Sequence, residues 1–307
     1  EEAYDKTIET LGGYLDRTYA DKRVFMRRDA HTKGHACLRG DLNYTSAAAP
    51  APFDGSRKST PVVVRFSNGQ IFFQPDSEPD GRGAALKIFI NGQGGPTLDI
   101  VMIGASRFFL RNSTDIYYFY DVLLSQGMWR YFTPDLWNPF TWRWRAMAIA
   151  AEIGGNKIGS VLQPDYYTMS AYRLGDLDAK IRLSPCAVQD YGAPSSNADY
   201  LRDDLLARAS ASQQCFRLQM QVRPTGVDAD DASLIWDEKI SPYRDLGRID
   251  FPAQDAKAND SYCEGASFSP DHATAEIQPI GSLNAVRRKV YETQAAKRRN
   301  YNEALTK

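Results

Sequence analysis

The chain has 307 residues, 43% of them hydrophobic and 24% charged, which is enough apolar material for a sizeable buried core. Its 37 Lys and Arg against 38 Asp and Glu leave a formal net charge of -1, so no whole-chain field draws it to nucleic acid or an anionic membrane, and a charged partner must meet a local patch. The four cysteines (Cys37, Cys186, Cys215, Cys263) form no CxxC pair and there are only three histidines (His31, His35, His272), which argues against zinc and His-rich metal sites.

Tyr4, Ile8, Leu11 and Leu15 recur at spacings of four, three and four, the stripe of a short amphipathic helix. The strand-like stretch from Phe25 to Leu42 is broken by Gly34 and Gly40, and Ser46 to Ser59 reads as a loop. Three strands follow, Pro61 to Ser67, Ala84 to Ile90 and Thr97 to Ile103, expected as neighbours in an antiparallel sheet. From Thr114 to Gly159 the pattern is helical and strongly aromatic. Tyr172 to Leu183 and Cys215 to Arg223 return to strand character, and Leu283 to Leu305 is a helix. No repeat, low-complexity tract or linker divides the sequence, so one α+β domain over residues 1–307 is expected. No apolar run approaches the roughly 20 residues of a membrane span. A soluble protein is expected; a chain opening at Glu1 is compatible with a removed leader, and neither compartment nor oligomeric state is set.

Two places carry chemistry. On the C-terminal helix Arg287, Tyr291, Gln294 and Arg298 share one stripe. A solvated charged face is the commoner origin of such a stripe, but a large phenol has little reason to stand there between two guanidinium groups. A phenol has an ordinary pKa of about 10, and a cation one turn away favours the anion that can ligate a metal. Arg287 is so placed, and Arg298, two turns beyond Tyr291, suits a carboxylate. Near the other terminus, RRDAHTKGHACLRG presents His31 between Arg28 and Gly34; a lone histidine is more often structural than catalytic, and His35, past the glycine, is assigned a structural or rim role.

In this order the segments resemble the catalase superfamily: HTKG at His31 to Gly34 with Arg28 before it, VRFSNG at Val64 to Gly69, PDGRGAALKIF at Pro79 to Phe89 and DIVMIGASRFFLRN at Asp99 to Asn112. YRLG at Tyr172 to Gly175, FSP at Phe268 to Pro270 and RRKVYETQAAKRRNYN at Arg287 to Asn302 continue the match over most of the chain. The resemblance implies an antiparallel β-barrel core with flanking helices and haem b as cofactor. It implies Tyr291 as the iron ligand with Arg287 supporting its phenolate, and His31 as the distal acid/base oriented by Ser67. Arg28, Arg65 and Arg298 would hold the propionates. Such a site cleaves the O–O bond of a peroxide as the histidine carries a proton from one oxygen to the other.

The chain departs from the large catalases in two ways. They place an asparagine just before the pair that here is Phe108-Phe109, whereas Ile103, Gly104, Ala105, Ser106 and Arg107 occupy that stretch, with Ser106 at best a partial substitute. The chain also lacks their long extra segments, and so looks like the small catalase-related proteins. The expectation is a haem peroxidase of that branch, acting on hydrogen peroxide or an organic hydroperoxide such as a lipid hydroperoxide with an unidentified reductant. The alternatives are a fatty acid hydroperoxide isomerase or dehydratase of the allene oxide synthase kind, a weak catalase, and a non-enzymatic haem-binding protein. The Trp-rich segment Gly127 to Ile149 is expected to divide between core packing and helix surface; its alternative is an apolar gate or a peripheral membrane contact, with Arg130, Arg143 or Arg145 meeting a substrate carboxylate.

Overall fold

The structure, a computed structural model, describes residues 2–20, 22–45, 49–90, 92 and 94–306, with side chains from residue 5 onward. The Tyr4 side chain and residues 46–48 of the expected loop lie outside the described residues.

Strands β1 (Gly34–Tyr44), β2 (Ser59–Asn68), β3 (Arg82–Ile88) and β4 (Leu98–Ile103) are successive antiparallel neighbours; the apolar runs predict this for β2, β3 and β4, while β1 runs through Gly40 without a break. The sheet continues through β5 (Tyr166–Tyr167), β6 (Tyr172–Leu174), β7 (Leu177–Pro185), β8 (Gln214–Val222), β9 (Arg244–Phe251) and β10 (Ile277–Pro279). Because β1 also pairs with β9, β9 with β8, and β8 with β7, eight strands close into an antiparallel barrel among the described residues, and β6 and β10 extend it beside β7. The fold class is α+β.

Period-two alternation decides which side chains face the barrel interior. Val62, Val64 and Phe66 of β2 join Leu38, Leu86, Ile88, Ile100, Ile181 and Leu218 in the main core, whereas Val63 belongs to a separate cluster on the outer wall. Arg65 and Ser67 share the parity of Val63, and β2 is buried on both faces because helices cover that wall. Closure demands bare backbone where β1 meets β9: a Cβ on Gly40 of β1 would sit 2.3 Å from Asp250 O of β9.

The covering layer comprises α1 (Glu2–Tyr19), α2 (Ser113–Gln126), α3 (Met128–Phe132), α4 (Trp144–Gly155), α5 (Tyr200–Ala211), α6 (Asp260–Gly265) and α7 (Ser282–Leu305). Leu11 of α1, Ile116, Phe119 and Leu123 of α2, and Leu283, Val286 and Val290 of α7 form its core. Asn112 starts α2, its side chain accepting from the Thr114 and Asp115 amides. Disulfides join Cys37 of β1 to Cys263 of α6, and Cys186 to Cys215 of β8. No helix among the described residues is long and apolar enough to cross a membrane.

The Trp-rich segment divides between core and surface, as expected, but its surface rings are not confined to the α-helices. Tyr131 and Phe132 are buried, but Trp129, Trp137, Phe140 and Trp144 are exposed. Nor does the sequence pattern mark α5, whose apolar stripe is Leu201, Leu205 and Ala209 amid charges, or β9, where outward Arg244, Asp245, Arg248 and Asp250 conceal inward Leu246, Ile249 and Phe251.

Gly40→Ala is expected to lower the unfolding free energy by about 1–3 kcal/mol, the usual cost of overpacking, in urea denaturation. An unchanged midpoint would contradict the close approach of β1 to β9.

Candidate active site

Between the outer wall of β2, β3 and β4 and helices α1, α2, α3 and α7 lies a cavity of about 580 Å³. That is within the range of roughly 300–1,000 Å³ common for ligand and cofactor sites. Arg28, His31, Arg65, Ser67, Arg287, Tyr291 and Arg298 all line it, so residues from both ends of the sequence meet in one space. Most of the remaining wall is apolar, including Val101, Ile103, Phe108, Phe109, Phe119 and Phe132.

His31 stands in the segment that leads into β1, at φ 53°, the left-handed region that a side chain with a Cβ adopts at a cost of about 1–3 kcal/mol. Its surroundings hold it there. Arg65 Nη2 donates to His31 O at 3.0 Å, His31 N donates to Gly69 O at 3.4 Å, and Thr32 Oγ donates to Arg28 O and Ile71 O, each at 2.9 Å. The ring bonds through Nδ1 to Ser67 Oγ at 3.1 Å. Gly83 of β3 makes room for it: a Cβ there would lie 2.5 Å from both Cε1 and Nδ1 of the imidazole. Burial first, then the charges of Arg65 and Arg287, push the His31 pKa down to about 4. The imidazole is therefore neutral at pH 7.

His35 takes no part in the cavity. It is buried, bonds through Nε2 to Asn68 Oδ1 at 3.0 Å, and belongs to a network in which Arg82 Nη1 donates to the same Asn68 oxygen at 2.6 Å and Lys33 pairs with Asp76 at 2.7 Å. This is the structural role that its place in the sequence suggests.

The polar stripe of α7 is not a solvated face. Arg287, Gln294 and Arg298 are buried, and Tyr291 is half-buried. Gln294 ties α7 to α1 by donating to Ile8 O at 3.3 Å, which leaves the other three for the cavity. Arg287 Nη2 donates to the Tyr291 phenol oxygen at 3.5 Å, and Nη1 donates to Asn284 Oδ1 at 3.1 Å. Burial opposes the Arg287 charge, but its neighbours Tyr291, Tyr172 and Tyr120 favour it, and the net shift of its pKa is upward.

At another part of the wall three guanidinium groups converge. Arg28 donates to Cys263 O at 2.9 Å and Ala266 O at 2.6 Å and pairs with Glu264 at 3.4 Å; Arg65 approaches Glu264 at 3.8 Å; Arg298 donates to Ala266 O at 3.3 Å. Burial lowers the pKa of all three, that of Arg65 to about 10, and the Arg65 and Arg298 charges lower that of Arg28 further. Arg65 Nε is buried without a hydrogen-bond partner among the described residues. Glu264 is half exposed, and burial raises the neighbouring Asp29 to about 6, which still leaves it mostly ionised at pH 7, so two carboxylates answer three cations and one positive charge is left over. The arrangement fits a ligand with a large apolar body and a carboxylate end.

Gly83, Glu264 and Asp29 are site residues that sequence reasoning missed. Gly83 lies inside PDGRGAALKIF and its run of small residues could have marked it; Glu264 has no local signal, since its partners Arg28 and Arg65 are far away in the chain. Where an amide would stand before Phe108-Phe109, Ile103 lines the cavity, while Ser106 does not and Arg107 pairs with Glu152 at 2.5 Å.

An NMR pH titration of the imidazole nitrogens tests this electrostatic account. The His31 ring is expected to stay neutral from pH 7 to about 5 and to protonate near pH 4; a midpoint at the ordinary value of about 6.5 would contradict its burial among arginines.

No protein-family model and no curated protein sequence matches the chain. Solved structures do. A fungal catalase superposes with a TM-score of 0.72 at 18% identity, covering 95% of this chain and 62% of its own. A bacterial catalase gives 0.72 at 19% identity, with coverages of 95% and 62%. Catalase A from Saccharomyces cerevisiae gives 0.69 at 16% identity, with coverages of 94% and 63%. The chain thus spans about three-fifths of the length of these catalases, and its barrel and helical layer have the catalase fold.

Proposed function

We propose that the protein is a haem-dependent peroxidase of the catalase-related type that reduces hydrogen peroxide or, preferentially, an organic hydroperoxide. The observation that carries this reading is the meeting of His31, Tyr291 with its Arg287, and the arginine cluster in one apolar cavity. Tyr291 would hold the haem iron through its phenolate oxygen, with Arg287 stabilising the anion, and Arg28, Arg65 and Arg298 would take the propionates. Haem supplies two-electron redox chemistry for cleaving an O–O bond.

The chain's own part is proton handling and exclusion of water. In this reading Nδ1 of His31 donates to Ser67 Oγ, which leaves Nε2 of the neutral ring as a base. Nε2 takes the proton from the near oxygen of the hydroperoxide and gives it to the leaving oxygen. The hydroperoxide gains two electrons and two protons and leaves as alcohol and water; an organic reductant is oxidised by two electrons and gives up two protons. Because the imidazole resists protonation down to about pH 4, the base form is available throughout the neutral and mildly acidic range. The wall at Ile103, Phe108 and Phe109 is apolar, and the side-chain amide that lines the cavity, Gln70, comes from another segment; this favours an alkyl hydroperoxide over rapid hydrogen peroxide dismutation.

The same wall supports a second reading, isomerisation or dehydration of a fatty acid hydroperoxide, in which substrate is its own oxidant and no reductant is consumed. Mass spectrometry of the products from a polyunsaturated hydroperoxide, beside hydrogen peroxide, separates the two. Simple alcohol with oxidised donor is the expected result; allene oxide or rearranged products would overturn it in favour of the second reading. His31→Ala is expected to slow turnover about 100-fold or more, and a loss below about tenfold would remove the acid/base role.

A further inference from the structure

The segment joining α3 to α4 turns its hydrocarbon outward. Trp137 and Phe140 are 94% and 100% exposed, and Trp129, Leu136 and Trp144 in the same stretch are each more than half exposed. The loop is braced from within. Asp135 Oδ1 accepts from the Trp137 amide at 3.0 Å and Asn138 Oδ1 from the Phe140 amide at 3.2 Å. The carbonyls of Asp135 and Pro139 accept the indole N–H groups of Trp142 and Trp144 at 2.8 and 3.0 Å. Aromatic side chains bring about 150–250 Å² each. Four of them so exposed exceed the roughly 300–600 Å² of the largest apolar patch on an ordinary soluble monomer.

Two further observations say what this face meets. Residues 127–149 hold Arg130, Arg143 and Arg145 against Asp135; with Asp115, which Arg143 meets at 3.9 Å, an excess of one positive charge remains on a chain of net charge -1. A second copy docking through this face would bring like charges together, whereas an anionic lipid surface complements them. Met128, Trp129 and Phe132 of α3 and Met147 of α4 also line the cavity of His31, so the outward patch continues inward as an apolar wall.

We propose that this aromatic loop inserts into the interfacial region of an anionic phospholipid bilayer, and that a fatty acyl hydroperoxide enters the cavity from the bilayer along that wall. Rings at a loop tip with arginines beside them suit the boundary between headgroups and acyl chains. The substrate class rests on the peroxidase reading; the docking does not.

Sedimentation with vesicles of equimolar phosphatidylcholine and phosphatidylglycerol tests the docking on the whole protein, without haem or peroxide. Wild type is expected to bind, with its Trp emission quenched by brominated acyl chains, and the double substitution Trp137→Ala with Phe140→Ala to weaken binding by about tenfold or more. Absence of binding, binding without quenching, or equal binding by the double variant would overturn the proposal. So would light scattering in which wild type is an oligomer that the double variant dissolves, since the face would then serve a second copy. Neither substituted residue lines the cavity. Turnover of water-soluble tert-butyl hydroperoxide should therefore be unchanged in the variant, while turnover of a phospholipid-vesicle-borne acyl hydroperoxide falls about tenfold, in step with binding. Vesicle binding with no turnover of either substrate would sink the peroxidase reading alone; turnover of both without vesicle binding would sink the docking alone.

Discussion

Three arginines share an enclosed, mostly apolar space, and much of the structure serves to keep them there. Buried cations that repel one another are costly unless donors find acceptors. Here the acceptors are main-chain carbonyls of Cys263, Ala266 and His31, together with Glu264. Cys263, Glu264 and Ala266 belong to α6 and its end, and the disulfide from Cys37 fastens that helix to β1. The barrel thereby fixes α6, and α6 fixes the arginines. Arg65 in turn holds the carbonyl of His31, so a member of the arginine cluster also maintains the left-handed backbone that presents the imidazole.

The barrel's outer face, rather than its interior, is the platform for this chemistry. Its interior is filled by Val, Leu, Ile and Phe. Alternation then sends Arg65 and Ser67 outward from the same strand that buries Val64 and Phe66, and Gly83 on the neighbouring strand leaves the gap into which the histidine ring fits. A one-residue slip in β2 would exchange these sets, so hydrophobic burial inside the barrel fixes the register of the site outside it.

How much of this could be read in the amino-acid order follows from what each element shows locally. PVVVRFS, AALKIFI and TLDIVMI are so apolar that β2, β3 and β4 declare themselves, and their antiparallel neighbourhood was legible. Strand β9 was not, because four of its eight residues are charged and only tertiary burial of Leu246, Ile249 and Phe251 makes it a strand. The seven candidate residues were picked through motif order along the chain, and they line one cavity; spacing alone left the α7 stripe ambiguous between solvent and site. Glu264 and the two disulfide pairings depend on contacts between distant segments and have no local signature. The division of the Trp-rich segment between core and surface was legible, but which rings face outward was not, because rings usually bury and nothing in a run of Trp, Phe and Pro singles out Trp137 and Phe140.

The central claim is that Tyr291 is an iron ligand inside an arginine-anchored cavity, and a spectrophotometric haem titration of wild type and Tyr291→Phe tests it most directly. Wild type should bind stoichiometrically with the high-spin ferric Soret spectrum of a phenolate-ligated haem. The variant, which keeps the cavity and the three arginines, should lose that spectrum and bind haem more weakly. Identical spectra and affinities in the two proteins, or no haem uptake by wild type, would contradict the account.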